Sequence, residues 1–279
     1  MKDILVHLDD SAVCSYRIQA ALSLAKKHDA HVVGVALKIK STIADYINEA
    51  LPSGFQEAQR QMVAQSARKA LELFEAAAKE AGISYNTDTI EESAAKAPGS
   101  LAFYARHTDI TILGQSNDEH SGASFNTALM EAVLFESGRP IYLVPYVGKK
   151  TTPVKTAVIA WDGGAKSARA VNDSIPLLQD RKEVIVLVIN AGERGDAHGK
   201  KPGADIAAHL ARYGIDAKIE RQTVTGIDVD RAILNFLADS GADLLVMGAY
   251  GHSRFREKAF GGVTHNILKE MTAPVLMSN

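Results

Sequence analysis

The chain is written twice. "KDILVHLDDSAVCS" near the start and "KTAVIAWDGGAKSA" past the middle are each a short apolar run ending in an acidic residue, Asp9 or Asp162, then a turn. A helical pattern follows each, "SYRIQAALSLAKKHDA" and "SARAVNDSIPLLQD", and then a second apolar run, "HVVGVAL" and "EVIVLVI". Next comes a weaker strand after a Gly-Ile pair, "GISYNTDTI" and "GIDAKIERQTV", then "HTDITILGQS" and "GADLLVMGAY". Each half closes on a Pro-led run, "RPIYLVP" and "APVLMSN". Asp9 and Asp162 lie 153 positions apart, whereas Asp109 and Asp243, and Pro140 and Pro274, lie 134 apart. The drop places extra residues in the first half, around "STIADYINEALPSGFQEAQRQ". This is one duplication with one insertion, not a short-period solenoid. The short polar stretch from Gly148 to Pro153 divides the chain into domains at 1–147 and 153–279.

Five strands alternating with helices in each half imply parallel βαβ units and a sheet covered on both faces. Runs such as "VIVLVI" and "DLLVMG" are continuously apolar, as doubly covered parallel strands are. "DAKIERQTV" alternates and reads as an edge. The expected fold is α/β, with two tandem, doubly wound, open parallel five-stranded sheets, strands 1 and 4 being central neighbours in each. Ligands of such sheets bind beyond the carboxyl ends of the strands, where strand order reverses. In the second half that point lies between the strand ending at Asp162 and the strand ending at Gly248.

The stretch leaving that point is "GAYGHSRFREKAFGGVTHNIL", from Gly248 to Leu268. Glycine lets a backbone N–H approach a ligand with no Cβ in the way. The helix that starts near Val263 offers unpaired N–H groups and the positive end of its dipole, a ready phosphate site. Thr264 adds a hydroxyl in the first turn, and His252, Arg254 or Lys258 supply charge. The pattern therefore predicts an anion, a phosphate above all, held by this loop. The same residues also fit a surface loop with incidental glycines, and Asp162 also fits a helix cap or an Asx turn.

Composition narrows the classes. With 46% hydrophobic residues the chain can bury a core, and a net charge of −2 argues against a general nucleic-acid binder. The single cysteine, Cys14, excludes an internal disulfide and suits a reducing compartment. "MKDILVHLDD" reads as neither a signal nor a transit peptide. No apolar run approaches the roughly 20 residues of a membrane helix. The expectation is a soluble, cytoplasmic protein with no membrane or nucleic-acid partner. His7, His31 and His209 show no metal-ligand spacing, and Cys14 reads as a buried thiol. No Ser-His-Asp, paired-carboxylate or His/Cys constellation stands out, so no catalytic or metal-ligating residue is assigned.

Gly248-x2-Gly251-x9-Gly261 resembles the ATP-binding motif of universal stress proteins, G-x2-G-x9-G-[S/T]. The second half is similar to that family from "VIAWDGG" to "APVLMSN", and the first half is similar in layout, so the chain resembles a tandem, two-domain member. The resemblance implies an adenine-nucleotide alpha-hydrolase-like fold, with the halves related by a pseudo-two-fold axis and paired through their fifth strands, "PIYLVP" and "PVLMSN". It leaves room for a homodimer. It implies a stress-associated protein that binds ATP, with or without Mg, and hydrolyses it slowly or not at all. By position it implies contacts from Gly248, Gly251, Gly261, Gly262, Val263 and Thr264, with Asp162 beside the nucleotide and Ile189 and Asn190 flanking the adenine; His252 and Arg254 join these as the loop's candidate charges. Two departures stand out. Gly262 replaces the motif's hydroxyl residue, and the first half keeps only Gly114, with Asn117 at the second glycine position and Asp118 and Glu119 where phosphate would sit. The first half is expected to be nucleotide-free. Two other readings remain: a nucleotide-free interaction or small-ligand carrier module, and an adenylating enzyme. For the latter, "DGGAKS" resembles the S-G-G-x-D-S loop of ATP pyrophosphatases but departs at Asp162 and Lys166.

Overall fold

The computed structural model describes residues 1–40, 54–116, 123–147, 155–179, 181–191, 201–249 and 262–279. In the first half, β1 (Asp3–Leu8), α1 (Cys14–His28), β2 (His31–Lys40), α2 (Phe55–Ala81) and β3 (Tyr85–Ser93) come first. They are followed by α3 (Ala97–Ala105), β4 (Ile110–Gly114), α4 (Ala123–Glu136) and β5 (Ile141–Val144). The second half repeats the alternation with β6 (Thr156–Ala160), α5 (Ala165–Leu178), β7 (Glu183–Ile189), α6 (Ala204–Ala211) and β8 (Ala217–Gln222). It ends with α7 (Val229–Ser240), β9 (Leu244–Gly248), α8 (Gly262–Glu270) and β10 (Val275–Ser278). The residues suspected of being an insertion supply, at 55–61, the first turns of α2; those at 41–53 lie outside the described residues. None of the described helices is long and apolar enough to cross a membrane.

The chain forms two compact units, Met1–Gly114 with Asp118–Arg139, and Gln115–Asn117 with Pro140–Asn279. In the first, β1 lies between β2 and β4, and β3 flanks β2, all parallel. In the second the order is β5-β10-β9-β6-β7-β8, parallel throughout except where β5 meets β10. Each half thus contributes five strands, but β5 belongs by its contacts to the second unit. It pairs antiparallel with β10, Leu276 opposite Tyr142, so the two Pro-led closing strands meet as expected. Pairing, not the polar stretch at Gly148–Pro153, decides which unit β5 joins.

Burial follows the pattern of the sequence. Ile110 and Thr111 to Leu113 of β4 and Leu244 to Met247 of β9 are buried on both faces, whereas β8, at the edge, alternates. In α2 the buried positions Ala67, Ala70, Phe74 and Ala78 recur every three or four residues, one stripe of the helix. Phe74 packs against β2 because Gly34 has no side chain: a Cβ there would sit 2.7 Å from the Phe74 ring.

One side-chain device appears in both repeats. The carboxylate of Asp109 accepts from the backbone N–H groups of Lys2 (2.5 Å) and Asp3 (3.2 Å). That of Asp243 accepts from Lys155 (3.0 Å) and Thr156 (3.3 Å). Each joins the residue that precedes strand 4 to the start of strand 1. Its N–H returns a bond to Asp3 or Thr156 respectively. These contacts use the same acidic residues whose offset marked the duplication.

In the first unit His7 is buried on β1 beside Arg17 of α1. Burial first, and the Arg17 charge second, push its imidazole down from 6.5 to about 4. Between those values an unfolded chain takes up a proton that the folded protein refuses. The contribution is therefore fully present above pH 6.5 and is lost as pH falls toward 4. At about 1.4 kcal/mol per pKa unit, it is on the order of 3 kcal/mol. Asp9 and Asp109 are both held below the ordinary carboxylate value, so their contributions vanish only at lower pH. Urea titrations from pH 7 to pH 4 should show the parent losing stability steadily, and His7→Leu should flatten that slope.

Candidate functional site

In the second unit, β6 lies between β7 and β9, and the chain reverses strand order between β6 and β9. Beyond the carboxyl ends of these strands lies a cavity of about 160 Å³. Ala160, Trp161 and Asp162 bound it after β6, Leu187, Ile189 and Asn190 at the end of β7, and Met247 and Gly248 at the end of β9. Ser167 of α5, Val229 and Ile233 of α7, and Val263 and Thr264 of α8 complete the wall. Most of this lining is apolar, with Asp162, Ser167, Asn190 and Thr264 as its polar side chains.

The geometry starts from Gly248. A Cβ on it would lie 2.5 Å from the Ser167 backbone nitrogen and 2.6 Å from the Lys166 carbonyl carbon. The first turn of α5 therefore rests on the end of β9, and the glycine is required for helix approach before any ligand is considered. Asp162 then holds the turn into α5. Its Oδ1 accepts from the Gly164 N–H (2.9 Å) and the Ser167 hydroxyl (2.6 Å), an Asx turn and helix-start contact at once. Asn190 has a left-handed backbone, φ 51°. Its side chain bridges to Val224, accepting from the Val224 N–H (2.8 Å) and donating to the Val224 carbonyl (3.3 Å). This pins the loop after β8 to the end of β7. On the far wall, Asn266 of α8 donates to the buried Asp230 of α7 (2.9 Å), joining the two helices that carry Val229, Ile233, Val263 and Thr264.

Of the residues singled out in the sequence, Asp162, Ile189, Asn190, Gly248, Val263 and Thr264 meet at this cavity. Gly262 begins α8. Gly251, His252, Arg254 and Gly261 lie outside the described residues. Sequence reading missed Trp161, Ser167, Val229 and Ile233. Val229 and Ile233 carry a legible signal, an apolar i, i+4 pair at a helix start. Trp161 carried one too, as a lone tryptophan directly before the acidic residue.

The equivalent place in the first unit is filled from within. Arg17 is 4% exposed, and its Nη2 lies 2.6 Å from Asp9 Oδ1. Its Nε donates to the His7 carbonyl at 3.0 Å. A Cβ on Gly114, the counterpart of Gly248, would lie 2.6 Å from Arg17 Nη1. The side chain thus covers the end of β4. Asp118 and Glu119, the residues that suggested a degenerate crevice, lie outside the described residues. Arg17 gives a physical reason the sequence reading did not. Its signal was an arginine on the buried stripe of α1, with Cys14, Ala21 and Ala25.

The universal stress protein family profile matches residues 153–279. Residues 153–279 belong to the universal stress protein family. A universal stress protein of Synechocystis sp. is 28% identical over 171 residues, 60% of this chain and 57% of that protein. A universal stress protein of Methanocaldococcus jannaschii is 33% identical over 60 residues, 22% of this chain and 36% of that protein. The chain therefore spans little more than half of the first relative and about a third of the second. The crystal structure of a universal stress protein from Archaeoglobus fulgidus matches 99% of this chain and 96% of its own, with a TM-score of 0.72 at 14% identity. At that identity the likeness is one of fold.

The universal stress protein domain makes the two glycines separable by experiment. Gly248→Ala drives a Cβ into backbone atoms of α5, and overpacking of this kind costs about 1–3 kcal/mol. Gly262 has open space where its Cβ would be. Gly262→Ala should therefore leave the thermal midpoint unchanged or raise it slightly, whereas Gly248→Ala should lower it by several degrees. Thermal denaturation of both variants checks this.

Proposed function

We propose that the second unit is a binding domain for an adenine nucleotide, that the chain takes up one nucleotide per molecule, and that it serves an intracellular stress response without rapid turnover. The observation that carries the reading is the cavity itself. At the point of strand-order reversal, apolar walls lead to a carboxylate turn on one side and a helix N-terminus on the other. An apolar cavity of roughly 150 Å³ accepts a benzene-sized group. At about 160 Å³, this one suits a planar base and leaves the ribose and phosphates to extend outside it. The N-terminal turn of α8, with Val263 and Thr264, is the place for phosphate, and the sequence from Gly248 to Gly261 carries the three glycines of the family's motif without its final hydroxyl residue.

Several features favour this reading over its rivals. Lys166 stands where the loop of the adenylating enzymes carries an aspartate, and Asp162 where it carries the first serine. In the first unit Arg17 covers the end of β4, which supports a single site.

Calorimetry with ATP, with and without Mg, tests the proposal. One site per chain and little phosphate release are expected. Two equivalent sites would overturn the stoichiometry, and pyrophosphate release with a carboxylate substrate would favour the adenylating enzyme. No binding would leave the small-ligand carrier as the better reading. A hydrogen bond to a charged group contributes about 1.5–3 kcal/mol. Thr264→Ala should therefore weaken ATP binding about tenfold or more. Gly262→Ser restores the motif's hydroxyl at a position with room for a Cβ, and should tighten it.

A further inference from the structure

We infer that Gln115 is a positioning residue for the cavity of the second unit, acting through α8. Gln115 follows β4 directly and is 7% exposed. Its Nε2 donates to the carbonyls of Leu268 (2.9 Å) and Lys269 (3.0 Å), in the last turn of α8. Its Oε1 accepts from the Tyr146 N–H at 3.1 Å, and its own N–H donates to the Val144 carbonyl at 2.9 Å. The carbonyls of a helix's last turn have no partner within the helix. Here one buried amide serves two of them.

The length of α8 makes this clamp matter. At nine residues it is too short to hold itself as a helix in water, so its placement depends on contacts at its ends and flank. On the flank Asn266 bonds Asp230, and at the C-terminal end Gln115 acts beside an ion pair of Glu270 with Arg231 (3.8 Å). The N-terminal turn, with Val263 and Thr264, lines the cavity. A helix of this length is a rod of about 13 Å, and a shift at its last turn moves its first.

The duplication supplies the control. The offset of 134 places Ala249 opposite Gln115. The backbone bond is repeated, Ala249 N–H to the Ser278 carbonyl matching Gln115 N–H to the Val144 carbonyl. The side chain is not repeated, because alanine has no amide to reach a helix end. The clamp exists for α8, the helix that lines the cavity. It is supplied by a residue from the half of the sequence whose own crevice Arg17 covers.

The test uses the full chain with Gln115→Met, which keeps shape and removes every side-chain hydrogen bond, and Gln115→Glu. The glutamate keeps the acceptor for Tyr146 but turns a carboxylate toward the negative end of the helix. Two readouts are needed: the methyl resonances of Val263 and Thr264 without ligand, and the dissociation constant for ATP. Both variants should shift those resonances, about 6–9 Å along the helix from the carbonyls that Gln115 holds. Both should also weaken ATP roughly fivefold or more, the lower end of ordinary coupling between sites, Glu more than Met. A urea midpoint shows whether either variant is folded, and the near-isosteric Met variant carries the test if Glu is not. Unchanged Val263 and Thr264 resonances in a folded variant would overturn the inference and reduce Gln115 to a local cap. The ATP arm rests on the nucleotide reading. If the parent binds no ATP, that reading fails, and the ligand-free resonances still decide the role of Gln115.

Discussion

At Gly248 a helix N-terminus touches the end of a strand with no side chain between them. The rest of the second unit's site follows from that approach. Because the backbone of Lys166 and Ser167 occupies the space of the absent Cβ, α5 starts hard against β9, and the turn from β6 must be tight. Asp162 supplies the acceptor that holds it, taking the Gly164 N–H and the Ser167 hydroxyl on one oxygen. With this side of the crevice closed by backbone, the opening between β6 and β9 faces the other way, where α7 and α8 present apolar side chains and a helix start.

The two repeats solve the same local problem differently. Each has an acidic residue after its first strand, Asp9 or Asp162, at a partly enclosed helix start. In the second unit the carboxylate faces hydrogen-bond donors of its own turn and the edge of a cavity. In the first, Ser11 bonds Asp9 in the same way, but a guanidinium enters from α1 and takes the place beside it. The balance of forces on Asp9 shows the outcome: burial alone would raise its affinity for a proton, and Arg17 with His7 outweighs that.

The alternation of strands and helices and the central pairing of first and fourth strands were legible because they follow from periodicity and from repeated landmarks such as Asp109 and Asp243, whereas the meeting of the closing strands was legible only through the resemblance to universal stress proteins. Six of the expected residues line the cavity: Asp162 and Gly248 were legible as the ends of apolar runs, where ligands of open α/β sheets collect, Val263 and Thr264 as a helix start after a glycine-rich stretch, and Ile189 and Asn190 only through the family resemblance. What stayed hidden depends on side chains that reach across the fold. Gln115 looks like any polar residue after a strand until α8 is beside it. Asp230 and Asn266 lie 36 positions apart, and nothing local pairs them. Arg17 sat on an apolar stripe, but only the position of Gly114 shows what its guanidinium covers. Asn190 lines the cavity, but the bridge of its side chain to Val224 was hidden, because sequence does not show which turn an amide joins.

The ion pair of Arg17 and Asp9 also bears on the history of the chain. A half-enclosed carboxylate at the end of a strand needs a partner, and Arg17 provides one. From then on the two residues hold each other in place. Losing the arginine first strands an enclosed negative charge, and losing the carboxylate first strands an enclosed positive one, each costing more than the pair together. Restoring an open crevice in this copy would require both changes, together with a Gly-rich loop, before any benefit returned. The pair therefore works as a ratchet: while both residues stand, a substitution at either one alone is disfavoured.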